Sequence, residues 1–158
     1  MVAIVERLLE AASTPKHTYS IPPTTPADFE ALWKTAEAAG IQAAKRCIPK
    51  PMVVTEDPGL SGPVIQSWIV LEGVCGFAWV HVPGNCAFGR WAKKSGRMST
   101  DYPKGLMYWI PHYNQSMSRK EAHAHAFAQV LTEAGISAHA RSRMDSSHRM
   151  CALGTVAF

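Results

Sequence analysis

The chain has 158 residues, 47% of them hydrophobic and 18% charged, with a formal net charge of +4. That balance suits a single core of ordinary size. No stretch reaches the apolar length that crosses a bilayer, and Glu6 and Arg7 interrupt the opening segment where a signal peptide needs an uncharged core. A soluble, intracellular protein is therefore expected, and four widely spaced cysteines (Cys47, Cys75, Cys86, Cys151) favour reduced thiols over a disulfide framework.

Along the chain, Val2, Val5, Leu8, Leu9 and Ala12 recur at helical spacing, which predicts a short amphipathic helix over residues 2–12. It would pack on the domain or on a second copy, so a homo-oligomer is left open. Three prolines among Ser and Thr make residues 13–25 a stiff linker. Residues 1–25 are thus expected as an N-terminal extension and residues 26–158 as one domain. The next helix has a clear start: Thr25 as N-cap, Pro26 in the first helical position and Asp28 in the first turn. Phe29, Leu32, Trp33, Ala36, Gly40, Ala43 and Cys47 share its inner face, and Pro49 and Pro51 end it.

Residues 64–71 are apolar on both faces, as in a strand near the middle of a sheet. In residues 77–82, Phe77, Trp79 and His81 take one face, and Ala78, Val80 and Val82 the other. The short turn between the two runs predicts an antiparallel hairpin. Asn85 is placed to cap a helix over residues 86–95, with Phe88, Trp91 and Ala92 inward and Gly96 as its stop. Residues 106–112 form a strand that Pro111 confines to an edge or ends. Ser118 with Glu121 reads as a capping box for a helix running to Ala134, with Gly135 beyond it. Residues 136–143 alternate, with Ser137, His139, Arg141 and Arg143 on a wet face, and the apolar tail has the composition of a final strand. This order predicts an α+β (mixed α/β) domain: a mixed sheet of four to six strands with helices mainly on one face, plus the N-terminal helical extension.

Charge is unevenly placed. Residues 1–85 hold six Lys/Arg and eight Asp/Glu, whereas residues 86–158 hold ten and four. Such asymmetry points the C-terminal half at something anionic. Arg90, Lys93, Lys94 and Arg97 fall at i, i+3, i+4 and i+7 and would line one helical stripe. Lys120, Arg141 and Arg143, helped by Lys104 and Arg119, could join it in tracking a phosphate backbone. The competing reading is a solvated helix face with no further role. Tyr102, Tyr108 and Tyr113 are the stacking candidates.

Other constellations are thinner. His123 and His125, at i and i+2, point about 200° apart on a helix and do not make a metal pair; the expected placement puts His123 beside Lys120 and Phe127. Cys86, at a helix start near Arg90, is a candidate nucleophile with His81 or His112 as base, against the alternative of a small buried residue. Tyr113, Gln115 and Ser116 stand where a strand meets a helix and, with Asp145, could line a polar ligand pocket or simply complete a turn. No phosphate-loop glycine pattern or nucleophile elbow is present, and neither a metal nor a cofactor is expected.

The segments GVCGFAWV (73–80), FGRWAKK (88–94), YNQS with RKEAHAHAFA (113–116 and 119–128), GISA (135–138) and SRMD (142–145) together resemble a group of small uncharacterised proteins encoded by tailed bacteriophages. The similarity covers residues 30–145. It implies a phage setting in the host cytoplasm, with a place in the virion left open, and it implies no catalytic residues. The leading expectation is a non-enzymatic phage accessory protein whose basic face binds an anionic partner, nucleic acid before others. The alternatives are a protein-binding inhibitor of a host enzyme or defence factor, and a small Cys- or His-dependent enzyme.

Overall fold

The computed structural model describes residues 22–56 and 66–145. The helix expected over residues 2–12 and the strand expected in the tail lie outside them. Within them the order is α1 (Pro26–Arg46), β1 (Met52–Glu56), β2 (Gln66–Val70), β3 (Gly76–Val82), α2 (Ala87–Lys94), β4 (Ser99–Thr100), β5 (Leu106–Trp109), α3 (Met117–Glu133) and β6 (His139–Met144). This is an α+β fold, as expected.

Local chemistry sets the helix ends. At α1 the Asp28 amide donates to Thr25 Oγ1 at 3.2 Å and the Thr25 amide donates to Asp28 Oδ2 at 2.9 Å, a reciprocal capping box. These bonds hold the Asp28 carboxyl below its usual range. At α2 the cap is Cys86 rather than Asn85, because Cys86 Sγ accepts from the Gly89 amide at 3.2 Å. The expected Ser118–Glu121 box does not form either. Helix α3 begins two residues earlier with Ser116 as its cap residue, and the Ser116 hydroxyl donates instead to the Glu72 carbonyl at 3.1 Å. Its far end closes as the sequence indicates: Gly135, at φ +81°, lets the Ile136 amide reach the Leu131 carbonyl at 2.9 Å.

From β3 onward the chain runs β-α-β-β-α-β, and the sheet order is β4-β5-β3-β6 with every neighbour antiparallel. Each helical connection therefore skips over one strand, the split β-α-β arrangement. The hairpin expected between residues 64–71 and 77–82 is not made. Strand β2 pairs with β1, a strand the sequence reading missed, and the two form a separate sheet. Strand β2 is accordingly exposed rather than central. Its apolar residues on both faces were the misleading signal, since in a lone two-stranded ribbon such residues stay in water.

The core lies between the sheet and the helices. Ala78, Val80 and Val82 of β3 and Leu106 of β5 meet Phe127 and Leu131 of α3, Phe88 of α2, and Phe29, Leu32 and Trp33 of α1. Trp33 is the junction, with ring centroids 4.8 Å from Tyr108, 5.0 Å from Phe127 and 6.2 Å from Phe88. Truncating Phe127 to Ala is expected to lower unfolding free energy by about 3–5 kcal/mol. Ile69→Ala on the exposed hairpin should stay within about 0.5 kcal/mol. Urea denaturation of the two variants measures both, and equal losses would contradict this assignment of the core.

Candidate nucleic-acid interface

The alternation of β3 sends Phe77, Trp79 and His81 away from the helices. Directly paired residues of antiparallel strands share a face, so the register fixes their neighbours. Phe77 stands opposite Arg143; Trp79 lies between Trp109 and Arg141; His81 lies between Met107 and His139. The helices pack on the opposite face. Trp79 and Trp109 stack with centroids 5.6 Å apart and planes 8° apart, and Phe77 leans on Trp109 at 5.3 Å. Three rings from the two central strands thus form one aromatic column, with Trp109 40% exposed and Arg141 and Arg143 exposed beside it.

The β4–β5 turn closes one end of this face. Asp101 donates its amide to the Gly105 carbonyl at 3.0 Å and accepts the Tyr102 amide on Oδ1 at 2.9 Å. His81 Nε2 donates to the Lys104 carbonyl at 3.1 Å, which requires the proton on that nitrogen. The turn sits so closely on His81 that a Cβ at Gly105 (φ +114°) would lie 2.2 Å from the imidazole. Arg141 Nη1 approaches Asp101 Oδ2 at 3.6 Å.

The basic residues expected to share one surface are divided. Arg90, Lys93 and Lys94 are exposed on α2, in the helical layer, and Arg90 donates to its own Asn85 carbonyl at 2.7 Å. Arg97 does not continue their stripe. It lies beyond the helix, pairs with Glu30 at 2.7 Å and packs over the Trp33 and Trp91 rings at 5.5 and 5.1 Å. Arg97 also holds the Glu30 carboxyl below its usual range. Lys120 is buried rather than presented to solvent. Its Nζ donates to the Gly76 carbonyl at 3.2 Å and faces the Phe77 ring, and burial pushes its pKa down. Arg119 is tied to Glu72 at 2.7 Å and to the Ala44 and Cys47 carbonyls. Of the seven expected phosphate contacts, only Arg141 and Arg143 stand on the aromatic face.

The polar-pocket candidates form a clasp instead. The Gln115 carbonyl accepts the Gly76 amide, the Met117 amide donates to Val74, Ser116 is buried on Glu72, and the Asp145 amide donates to Cys75. These bonds join the start of β3 to the start of α3. Cys86 Sγ donates to the Pro83 carbonyl at 3.1 Å while it caps α2, and its candidate bases are turned elsewhere, His81 to Lys104 and His112 to Glu37. Cys47 and Cys86 carry free thiols, whereas Cys75 is disulfide-bonded, which corrects the expectation of four reduced cysteines. An open groove of about 460 Å³ between α3 and β6, lined by His125, Gln129, Glu133 and Ala140, lacks an aromatic wall.

A second polar group was not foreseen. In the helical layer His123 is fully buried beside Phe127, as the helix spacing implied, with Lys120 buried on the same helix. Its Nδ1 meets the Tyr113 hydroxyl at 2.9 Å, and its Nε2 faces Glu37 Oε2 at 3.5 Å without an aligned hydrogen bond. Tyr108 donates to the same Glu37 oxygen at 3.0 Å, and His112 lies 3.7 Å from the other. A Cβ at Gly40 would lie 2.4 Å from the His123 ring, so a glycine on the inner face of α1 was the available clue. Among the described residues no group of three His, Cys, Asp or Glu is arranged to hold a metal ion. No helix there is long and apolar enough to cross a membrane.

Burial pushes the Glu37 carboxyl up, but His123, the Tyr108 hydroxyl and His112 together outweigh it and hold it below the usual glutamate range. Burial, then the Glu37 charge, raises the Tyr108 phenol. A carboxyl lowered in the folded state stabilises the protein above its unfolded pKa, and that contribution disappears as pH falls through the folded value. The urea midpoint should therefore drop from about pH 5 downward, and Glu37→Gln should flatten that drop; an unchanged acid limb in the variant would contradict the network. No protein-family model, curated protein or solved structure matches the chain.

Proposed function

We propose that this protein binds single-stranded nucleic acid on the open face of its four-stranded sheet, as a non-enzymatic accessory protein in the phage setting that the sequence resemblance implies. One observation carries the reading: Phe77, Trp79 and Trp109 form a column on the two central strands, flanked in register by Arg141 and Arg143. Bases of any identity stack on aromatic rings, and stacking requires bases released from a duplex. Arginines beside the column neutralise the backbone between stacked bases. A four-stranded sheet with ring side chains on its central strands is also how one common class of RNA-binding module engages its strand.

Fluorescence anisotropy with labelled single strands and duplexes tests this. The single strand should bind more tightly, and Trp109→Ala should weaken it by about 1–3 kcal/mol. Arg143→Ala should reduce the slope of log affinity against log salt by about 0.7. The paired substitutions Lys93→Ala and Lys94→Ala should leave affinity and slope alone. Loss on the lysine variant with no effect of Trp109→Ala would move the interface to α2 and end this reading.

A second reading, a protein-binding inhibitor, is supported by the β1–β2 hairpin, where Val53 and Ile69 pair across the ribbon and stay exposed together with Leu71 and the preceding Ile48. Contiguous exposed apolar side chains of this kind mark protein contacts. Capture of a host protein that survives nuclease treatment and is lost in Val53→Ser/Ile69→Ser would favour it.

A further inference from the structure

Five buried side-chain nitrogen or oxygen atoms among the described residues lack a hydrogen-bond partner, and three of them, Trp79 Nε1, His81 Nδ1 and Asp101 Oδ2, belong to the open sheet face: His81 and Asp101 are side by side at the β4–β5 turn, and Trp79 stands two residues along β3, opposite Trp109. Buried polar atoms are normally paired, so such a group calls for an explanation. The turn that carries Asp101 is otherwise bonded, through the Asp101 and Tyr102 amides and the Lys104 carbonyl, and these atoms are left over.

We propose that this end of the sheet is a base-reading subsite selective for guanine within a single strand, a proposal that rests on the reading above. An ionised carboxylate can only accept hydrogen bonds. Asp101 Oδ1 already takes the Tyr102 amide, whereas Oδ2 has only the guanidinium of Arg141 at 3.6 Å and His81 Nε2 at 3.8 Å, neither in hydrogen-bonding contact. Guanine is the base that presents two neighbouring donors, N1–H and the 2-amino group, next to an acceptor, O6. Its edge matches a carboxylate set beside an arginine. Uracil and thymine flank their single N–H with two carbonyl oxygens, which a carboxylate repels. Adenine and cytosine offer one amino donor beside a bare ring nitrogen.

The surroundings favour discrimination. The Asp101 side chain is 11% exposed, and an acceptor held out of water rejects ligands that fail to donate to it more strongly than a solvated one. Tyr102, next in the chain, is 90% exposed and supplies a ring for the selected base to lie on. Arg141, half-exposed and in register with Trp79, is the group that the amino edge displaces from Oδ2, which frees the guanidinium for O6.

Anisotropy on the full chain with a short oligouridylate carrying one central guanine, hypoxanthine, adenine or no substitution tests the proposal. The guanine probe should bind about tenfold more tightly than the others, the order expected for a hydrogen bond to a charged acceptor. Hypoxanthine, which lacks the 2-amino group, should lose most of that gain on the unaltered protein. Asp101→Asn should make the four probes bind alike, and Tyr102→Ala should weaken the guanine probe several-fold without lowering the urea midpoint. Equal binding of all four probes by the unaltered protein, with Trp109→Ala still weakening each, would overturn the guanine subsite and leave the single-strand reading standing. Failure of every probe to bind would remove both.

Discussion

The fold depends on the two-residue alternation of β3. This strand is paired on both sides, with β5 and with β6, and its inner residues Ala78, Val80 and Val82 are completely buried. A slip of one residue would exchange the two faces. It would carry Val80 and Val82 into water, at about 1.5–3 kcal/mol each, and press the imidazole of His81 and the indole N–H of Trp79 against Phe127 and Phe88. The same constraint that closes the core therefore places the aromatic column outside. Core and candidate interface are the two sides of one register.

Positive charge was the most visible feature of the sequence, and the structure redistributes it. Helix α2 is only eight residues long, so Arg97 lies beyond its last turn and folds back onto α1. A planar, weakly hydrated guanidinium suits the place between Trp33, Trp91 and Glu30. Lys120 likewise leaves the surface to satisfy the Gly76 carbonyl at the start of β3. What remains on the sheet face of the expected basic set is two arginines, placed by register beside the aromatic column.

Helix α1 stands outside the β-α-β-β-α-β unit and is held to it in two ways. Its apolar face meets α2, α3 and Tyr108, and Glu37 enters the network with His123, Tyr108 and His112. Buried polar groups tolerate few alternative arrangements. Gly40 lies over the His123 ring where a Cβ would clash, and Glu37, one turn earlier, faces the same ring, so the network and the apolar contacts together set the axial position of α1 on α3. Tyr113 and Asn114 take consecutive left-handed conformations, at φ 70° and 49°, and this turn delivers the Tyr113 hydroxyl to His123.

Local spacing carried much of this in the sequence. The start of α1, the two faces of β3, the inward His123, the end of α3 at Gly135 and the wet face of β6 were all legible, because each follows from residues a few positions apart acting through the period of a helix or strand. The sequence by itself determined the α+β class and which sides of β3 and β6 are apolar. Strand partners were decided only in the tertiary structure: that β2 leaves the main sheet for β1, that Trp109 comes beside Trp79, and that Arg141 and Arg143 arrive on the same face. The pairings of Trp109, Arg141 and Arg143 with β3 join residues 30 to 66 positions apart and that of β2 with β1 residues 10 to 18 apart, and no local period encodes them. They are set by which apolar faces can be buried together, a property of the whole chain.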